Sequence, residues 1–362
     1  MLTVISFFIV FSLLVFVHEF GHFIVAKKAG IKVEEFGFGY PPRLFTIVER
    51  GGTKYTVNAI PFGGFVRLLG EDDPSVPGGF ASRSKRVRFA SLVAGSLMNA
   101  LLALLLFSLC FGLGAPEPVE YGVAILDVAQ GTPAEAAGLK AGDIVLEADG
   151  RAVEEPSDLI DYTHSRLGQE VVLTVKREGE ILNLRVTPRR SWPEGQGPMG
   201  VVVGSVVTRV RIRAYPWNEA LVRGFQATVN AVFLTIYVPV LLIRGLIPLK
   251  AARPVGPAGI AQMIGQAAQQ SVAIGWWFPI LQLTASLSAG LAVMNLLPLP
   301  GLDGGRIFFL LIEAIRGKRI EPEKEGFIHA IGFVILVGIL LLITVQDILH
   351  PLPVFDWANL LR

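Results

Sequence analysis

Long apolar runs dominate the chain, at residues 2–26, 89–113, 225–247, 271–297 and 327–349. Each is long enough to cross a hydrocarbon core of ~30 Å at ~1.5 Å per helical residue. The first does not read as a cleaved signal peptide. No basic residue precedes it, it exceeds the ~7–15 residues of such an apolar core, and no small-x-small cleavage site follows. It is expected to be a retained transmembrane helix. Between the first two runs, residues 27–88 are polar and glycine-rich. Strand-like stretches at 44–48 and 54–60 flank Arg50-Gly51-Gly52-Thr53, a hairpin signature. From 119 to 190 the pattern is that of a soluble domain. Alternation at 171–175 and 182–186 predicts strands, and 157–167 predicts a helix with Ser157 as its N-cap. Such a series of short strands fits a small, partly open β-barrel. Residues 191–222, with Trp192, Pro193, Pro198 and Pro216, are expected to be a linker.

Composition agrees with a membrane protein carrying a substantial soluble part. The chain is 52% hydrophobic and only 17% charged, where soluble domains carry roughly 25% charged residues. Disorder, a collagen-like fibre and a disulfide scaffold are excluded. A net charge of +2 with no basic stripe excludes an ordinary nucleic-acid binder. Cys110, the lone cysteine, has no intrachain partner and argues against a thiolate–metal site. Basic residues are enriched in 27–88 and 306–325, which the positive-inside rule places in the cytoplasm. The N-terminus, the β-rich domain and the C-terminus are then expected outside.

The chemistry lies in two segments. His18-Glu19-Phe20-Gly21-His22 is an H-E-x-x-H pattern: on a helix, residues four apart share a face, so both imidazoles can meet one ion with Glu19 beside it. Ionisable groups inside a spanning helix are costly, and by default functional. A catalytic zinc takes three protein ligands and leaves one open position. His164 falls in the soluble domain, and His329 and His350 flank the last apolar run, so none is well placed. Asp303 is the better third ligand. It lies in Asn295-Leu-Leu-Pro298-Leu-Pro300-Gly-Leu-Asp303-Gly304-Gly305, where two prolines break the helix and the glycines permit close approach.

These two segments together resemble the site-2 protease family of intramembrane zinc metalloproteases, in particular the bacterial regulator of sigma-E protease branch. Ile60–Arg67, Ala94–Asn99 and Gly256–Ala261 add to the likeness, which spans nearly the whole chain. The resemblance implies one catalytic zinc held by His18, His22 and Asp303, with Glu19 as acid/base. It implies ordering of substrate or active site by Asn295, Asn99, Gly63 and Gly64, and a membrane-inserted β-sheet between the first two helices. The soluble part looks like a single PDZ domain, with 138–145 as its most recognisable stretch, where many relatives of this branch carry two. The implied partners are membrane lipids and transmembrane protein substrates pre-trimmed on the outer side, for example anti-sigma factors or remnant signal peptides, in the cell inner membrane. Nucleic acid is not expected, and no homo-oligomer is indicated.

Parity of crossing decides among the apolar runs. If 225–247 spanned, Asp303 would emerge ~20 Å or more from the histidines, too far for zinc–oxygen bonds of ~2.0–2.2 Å. The segment is therefore expected to lie at the membrane surface. The expected fold is a multi-pass α-helical membrane protein with four transmembrane helices, at 1–26, 89–114, 271–298 and 327–349. A membrane-associated β-region at 27–88 and the PDZ-like domain at 119–190 are inserted. A linker and surface segment at 191–270, a cytoplasmic loop at 299–326 and a tail at 350–362 complete it. The alternative is a membrane-anchored PDZ adaptor with a structural or vestigial metal site, which has no use for Glu19. A metal transporter would want polar residues along a pathway, and the second and fourth helices offer almost none.

Overall fold

The computed structural model describes residues 1–177, 179–246, 253–353, 357 and 361. The chain divides into two compact units, Met1–Ala115 with Arg213–Trp357, and Pro116–Ile212 with Ala358–Arg362.

The first unit opens with helix α1 (Leu2–Lys28), strands β1 (Val33–Arg50) and β2 (Thr53–Leu68), and helix α2 (Lys85–Leu113). Val10 and Leu14 of α1 are buried with Leu102, Ala103, Leu106 and Phe107 of α2. The hairpin forms where the glycine pair required it: Arg50 pairs with Thr53, and Gly51 and Gly52 adopt φ of 58° and 74°. The strands run well beyond the predicted stretches. Gly37 pairs with both Phe65 and Thr56, so the first part of β1 is flanked on both sides. Ala26, Ile31, Val33, Leu68, Phe80 and Leu92 anchor this sheet to the helices. The 43–50 arm stays exposed, with Leu44, Phe45, Ile47 and Val48 all outward.

The second unit holds β3 (Ala115–Val128), α3 (Pro133–Ala136), β4 (Ile144–Ala148), β5 (Arg151–Ala152), α4 (Pro156–Ser165), β6 (Val171–Arg177), β7 (Glu180–Val186) and β8 (Val201–Arg213). The strand order is β7-β6-β4-β3-β8, with β5 on β4. Val123, Ile125, Leu159, Leu173 and Val175 form its core. Asp143 is buried; burial pushes its carboxyl up, but hydrogen bonds from Arg177 at 2.6 and 2.7 Å outweigh that and hold it below the usual range. Two expectations need correction. Ser157 is inside α4 rather than its cap: Glu155 caps, in a reciprocal box with Asp158, because Pro156 already occupies the first turn. Part of the supposed linker is β8, since its prolines flank rather than interrupt an alternating run that completes the sheet beside β3.

The chain returns to the first unit through α5 (Trp217–Ile243), α6 (Pro257–Ile274), α7 (Phe278–Met294), α8 (Asp303–Arg316) and α9 (Pro322–Leu349). The expected helix over 271–298 is not continuous. Gly275 closes α6 in the left-handed region, and Pro279 stands in the first turn of α7. Trp276, Trp277 and Phe278 keep the break apolar, so hydropathy does not reveal it. Trp276 donates from Nε1 to the Gly114 carbonyl at 2.8 Å and stacks on Phe278. Among the described residues, the helices long and apolar enough to cross a membrane are four, α1, α2, α5 and α9, while α7 is a shorter apolar helix of 17 residues. By that criterion α5 qualifies alongside the others, so length and hydropathy alone do not set it apart.

Candidate metal centre

The site is built where α1, α2 and the entry to α8 meet. The 3.6-residue repeat puts His18 and His22 on one face of α1, toward α2. Both imidazoles are buried, at 8% exposure each, inside a helix whose other face is apolar. Gly95 of α2 makes the room: a Cβ there would lie 2.7 Å from His18 Nε2 and closer still to His22 Nε2. After α7, the chain turns through Pro298 and Pro300, and Gly304 N–H donates to the Asn295 carbonyl at 2.7 Å. Gly304 and Gly305 pack against the backbone of 296–299 with no space for a side chain. This tight turn delivers Asp303, first residue of α8, to the histidines.

His18 Nε2, His22 Nε2 and Asp303 Oδ2 form a triangle with edges of 3.0, 3.1 and 3.2 Å. His22 Nδ1 lies 2.7 Å from the Ser91 carbonyl, which can only accept, so Nδ1 carries the proton and Nε2 presents a lone pair. On the far side of His18, Asn99 and Asn295 each place an amide 3.4 Å from Nδ1. Asn99 Oδ1 is buried without a hydrogen-bond partner among the described residues. Rotating that amide by a half-turn lets Oδ1 accept from a protonated Nδ1 and removes the orphan. His18 Nε2 then also presents a lone pair. Three acceptors converging on one point repel one another unless a cation lies between them. A tetrahedral ion with bonds of ~2.0–2.2 Å needs donor separations of about 3.3–3.6 Å, a few tenths of an ångström wider than the triangle found. Two imidazoles and a carboxylate are also a donor set that suits zinc.

Glu19 shares a cavity of about 310 Å³ with His22 and Asp303. A Cβ on Gly64 would lie 3.1 Å from Glu19 Cβ, and one on Gly63 would run into Val15, so both glycines let β2 press against α1 beside this carboxylate. All the residues singled out from the sequence are thus gathered at one place. Some residues the sequence did not single out are there too. Arg306 lines the cavity and pairs with Glu71 and with Asp72 at 3.5 Å, tying the loop after β2 to α8. His329, set aside as poorly placed, also lines the cavity. Nothing in the sequence pattern signals either, because their approach depends on how α8 and α9 pack; Gly95 was visible only as part of a motif.

A buried pair of imidazoles, a converging carboxylate and an adjacent glutamate, set within apolar helices, define a membrane metallohydrolase. The chain belongs to Peptidase family M50, the site-2 proteases, whose sequence profile matches residues 6–339. It is a metalloendopeptidase, and the family implies zinc. It is 28% identical to the zinc metalloprotease RasP of Geobacillus kaustophilus, over 96% of this chain and 97% of that protein. It is 35% identical to a provisionally named zinc metalloprotease of Clostridium perfringens, over 94% and 97%. A crystal structure of the PDZ domain of an SdrC-like protein from Listeria innocua matches 23% of this chain and 92% of its own, at 29% identity and TM-score 0.21.

Proposed function

We propose that this protein is an intramembrane zinc endopeptidase that cuts transmembrane segments of other membrane proteins. The observation that carries the reading is the convergence of three lone-pair donors within apolar helices, with a free carboxylate in the same cavity. His18, His22 and Asp303 would hold a single catalytic zinc, whose contribution when bound is Lewis-acid activation of water and of the scissile carbonyl. Glu19 takes the proton of the attacking water and returns it to the leaving amine. The Ser91 carbonyl and the rotated Asn99 amide fix the imidazoles by holding their Nδ1 protons, and Asn295, beside His18 Nδ1, helps to order the same ring.

A helical substrate must unwind before a carbonyl can reach the site, and freed backbone groups in lipid cost several kcal/mol each unless paired. Strands β1 and β2, pressed against α1 beside Glu19 at Gly63 and Gly64, offer backbone partners for such an extended segment. We place this sheet and the metal centre near the cytoplasmic face of the inner membrane, on the enrichment of basic residues in 27–88 and 306–325. The PDZ-like unit then lies outside, where it admits substrates already trimmed of bulky outer portions. Membrane lipids and such transmembrane substrates are its partners.

The test is Glu19→Gln. The variant should bind one zinc per chain and lose cleavage of a transmembrane reporter peptide by at least about a hundredfold, the general acid/base contribution being ~10²–10⁴. Substantial residual proteolysis by a zinc-replete variant would remove Glu19 from the mechanism.

A further inference from the structure

The cavity around Glu19, His22 and Asp303 is rich in acceptors and short of side-chain donors. Among its described wall residues, Arg306 is engaged by Glu71 and Asp72, and Ser91 Oγ and His329 Nε2 are buried. Tyr40 of β1 differs from these. It lines the same cavity and is 41% exposed. Its backbone is in register with Ile60, and its ring leans on Phe65, another wall residue, at 6.3 Å between centroids. Neither contact uses the hydroxyl. Burial, and with it the charge of Glu19, holds the phenol above its ordinary pKa, so at neutral pH it keeps its proton and can donate. That Glu19 acts on the phenol also places the hydroxyl on the cavity side of the ring.

Amide hydrolysis needs a donor of this kind. As the water oxygen bonds to the carbonyl carbon and gives a proton to Glu19, the C=O π pair moves onto the carbonyl oxygen. On collapse that pair re-forms C=O, the C–N pair leaves with the nitrogen, and the nitrogen takes the proton that Glu19 carried. In a cavity set among apolar helices, the transient charge on oxygen is best met by a donor already in place. We infer that Tyr40 is a catalytic residue of this reaction, donating from its hydroxyl to the carbonyl oxygen of the scissile bond while that oxygen carries the charge. The phenol keeps its own proton throughout. This rests on the cavity being the peptidase site proposed above.

Y40F removes the hydroxyl from the full-length protein and keeps the ring against Phe65. With a transmembrane reporter peptide, Y40F should retain one zinc per chain and a KM within about twofold, and lose kcat roughly ten- to hundredfold, the worth of one hydrogen bond to a charged acceptor. Binding separates charge stabilisation from packing. A phosphonate analogue of the reporter, whose tetrahedral oxygens carry such a charge, should bind Y40F more weakly by the same factor. The uncut reporter should bind Y40F in the Glu19→Gln background as tightly as it binds Glu19→Gln alone. A kcat or phosphonate affinity within about fivefold of the parent's, weakened binding of the uncut reporter, or loss of zinc would each overturn the inference. Glu19→Gln by itself tells the two failures apart: if it stays active, the reading of the cavity has failed, whatever Tyr40 does.

Discussion

At the residue scale the site depends as much on absent side chains as on present ones. Gly95 is the sharpest case, because its missing Cβ is the space in which both imidazoles face Asp303. Gly95→Ala should leave α2 helical, since alanine favours helix over glycine by ~1 kcal/mol, yet drive the rings apart. The expected result is a folded protein whose zinc content after dialysis falls at least tenfold, measured by metal analysis beside circular dichroism. A zinc-replete, active alanine variant would mean that the triangle of donors is not the metal centre. The histidines, Glu19 and Asp303 were legible in the sequence because helical spacing and the cost of intramembrane charge mark them out. Gly95 was visible only as part of the Ala94–Asn99 motif, since a glycine announces no chemistry at its own position. Its importance arises from a partner helix.

Among the elements, α8 must be held in register for Asp303 to reach α1. Arg88, at the start of α2, places one nitrogen 2.7 Å from each carboxylate oxygen of Glu313, on α8. Both side chains are nearly buried, at 9% and 12% exposure. Breaking a buried pair by removing one partner costs about 3–5 kcal/mol, whereas replacing both with apolar groups is often close to neutral. Arg88→Met alone should therefore lower the thermal midpoint by several degrees and weaken zinc retention. The double change Arg88→Met with Glu313→Leu should recover most of both. Equal loss in the single and double variants would show that the pair does not hold α8. This contact explains what sequence reading missed about elements. The hairpin at Gly51-Gly52 was legible because turn chemistry is local. The break at Gly275 was hidden because tryptophans and phenylalanine keep hydropathy high across it, and β8 was read as linker because its pairing partner lies some 80 residues upstream.

For the whole molecule the question is how often the chain crosses the membrane. Length and hydropathy admit α5 as readily as α1, α2 and α9. Its packing argues the other way. It starts beside the end of α2, with Trp217 against Gly112 and Ser108 against Gly224; its fully buried residues stop at Thr228, and Ala231 and Val232 are the last to pack on the core. The chain resumes at α6, whose Gln269 meets Thr3 at the start of α1 and whose following Trp276 meets Gly114 at the end of α2. Gly256, at the head of α6, donates to Asp347, which lies 18 residues along α9 from His329 and the metal centre. All these contacts mark the end of the helices remote from Asp303. A 27-residue helix is ~40 Å long. If α5 crossed to the other face, the ten residues from Leu246 to Gly256 would have to return at nearly full extension, ~33–36 Å. A helix packed at one end, with its apolar remainder in the outer leaflet, needs no such return, and keeps α7 running toward the histidines. With Cys110 replaced, single cysteines at Val222 and Leu246 should both react with an impermeant maleimide from the outer side, and neither from the cytoplasm. Labelling from opposite sides would make α5 a true crossing, and α7 would then have to deliver Asp303 to the wrong face of the membrane.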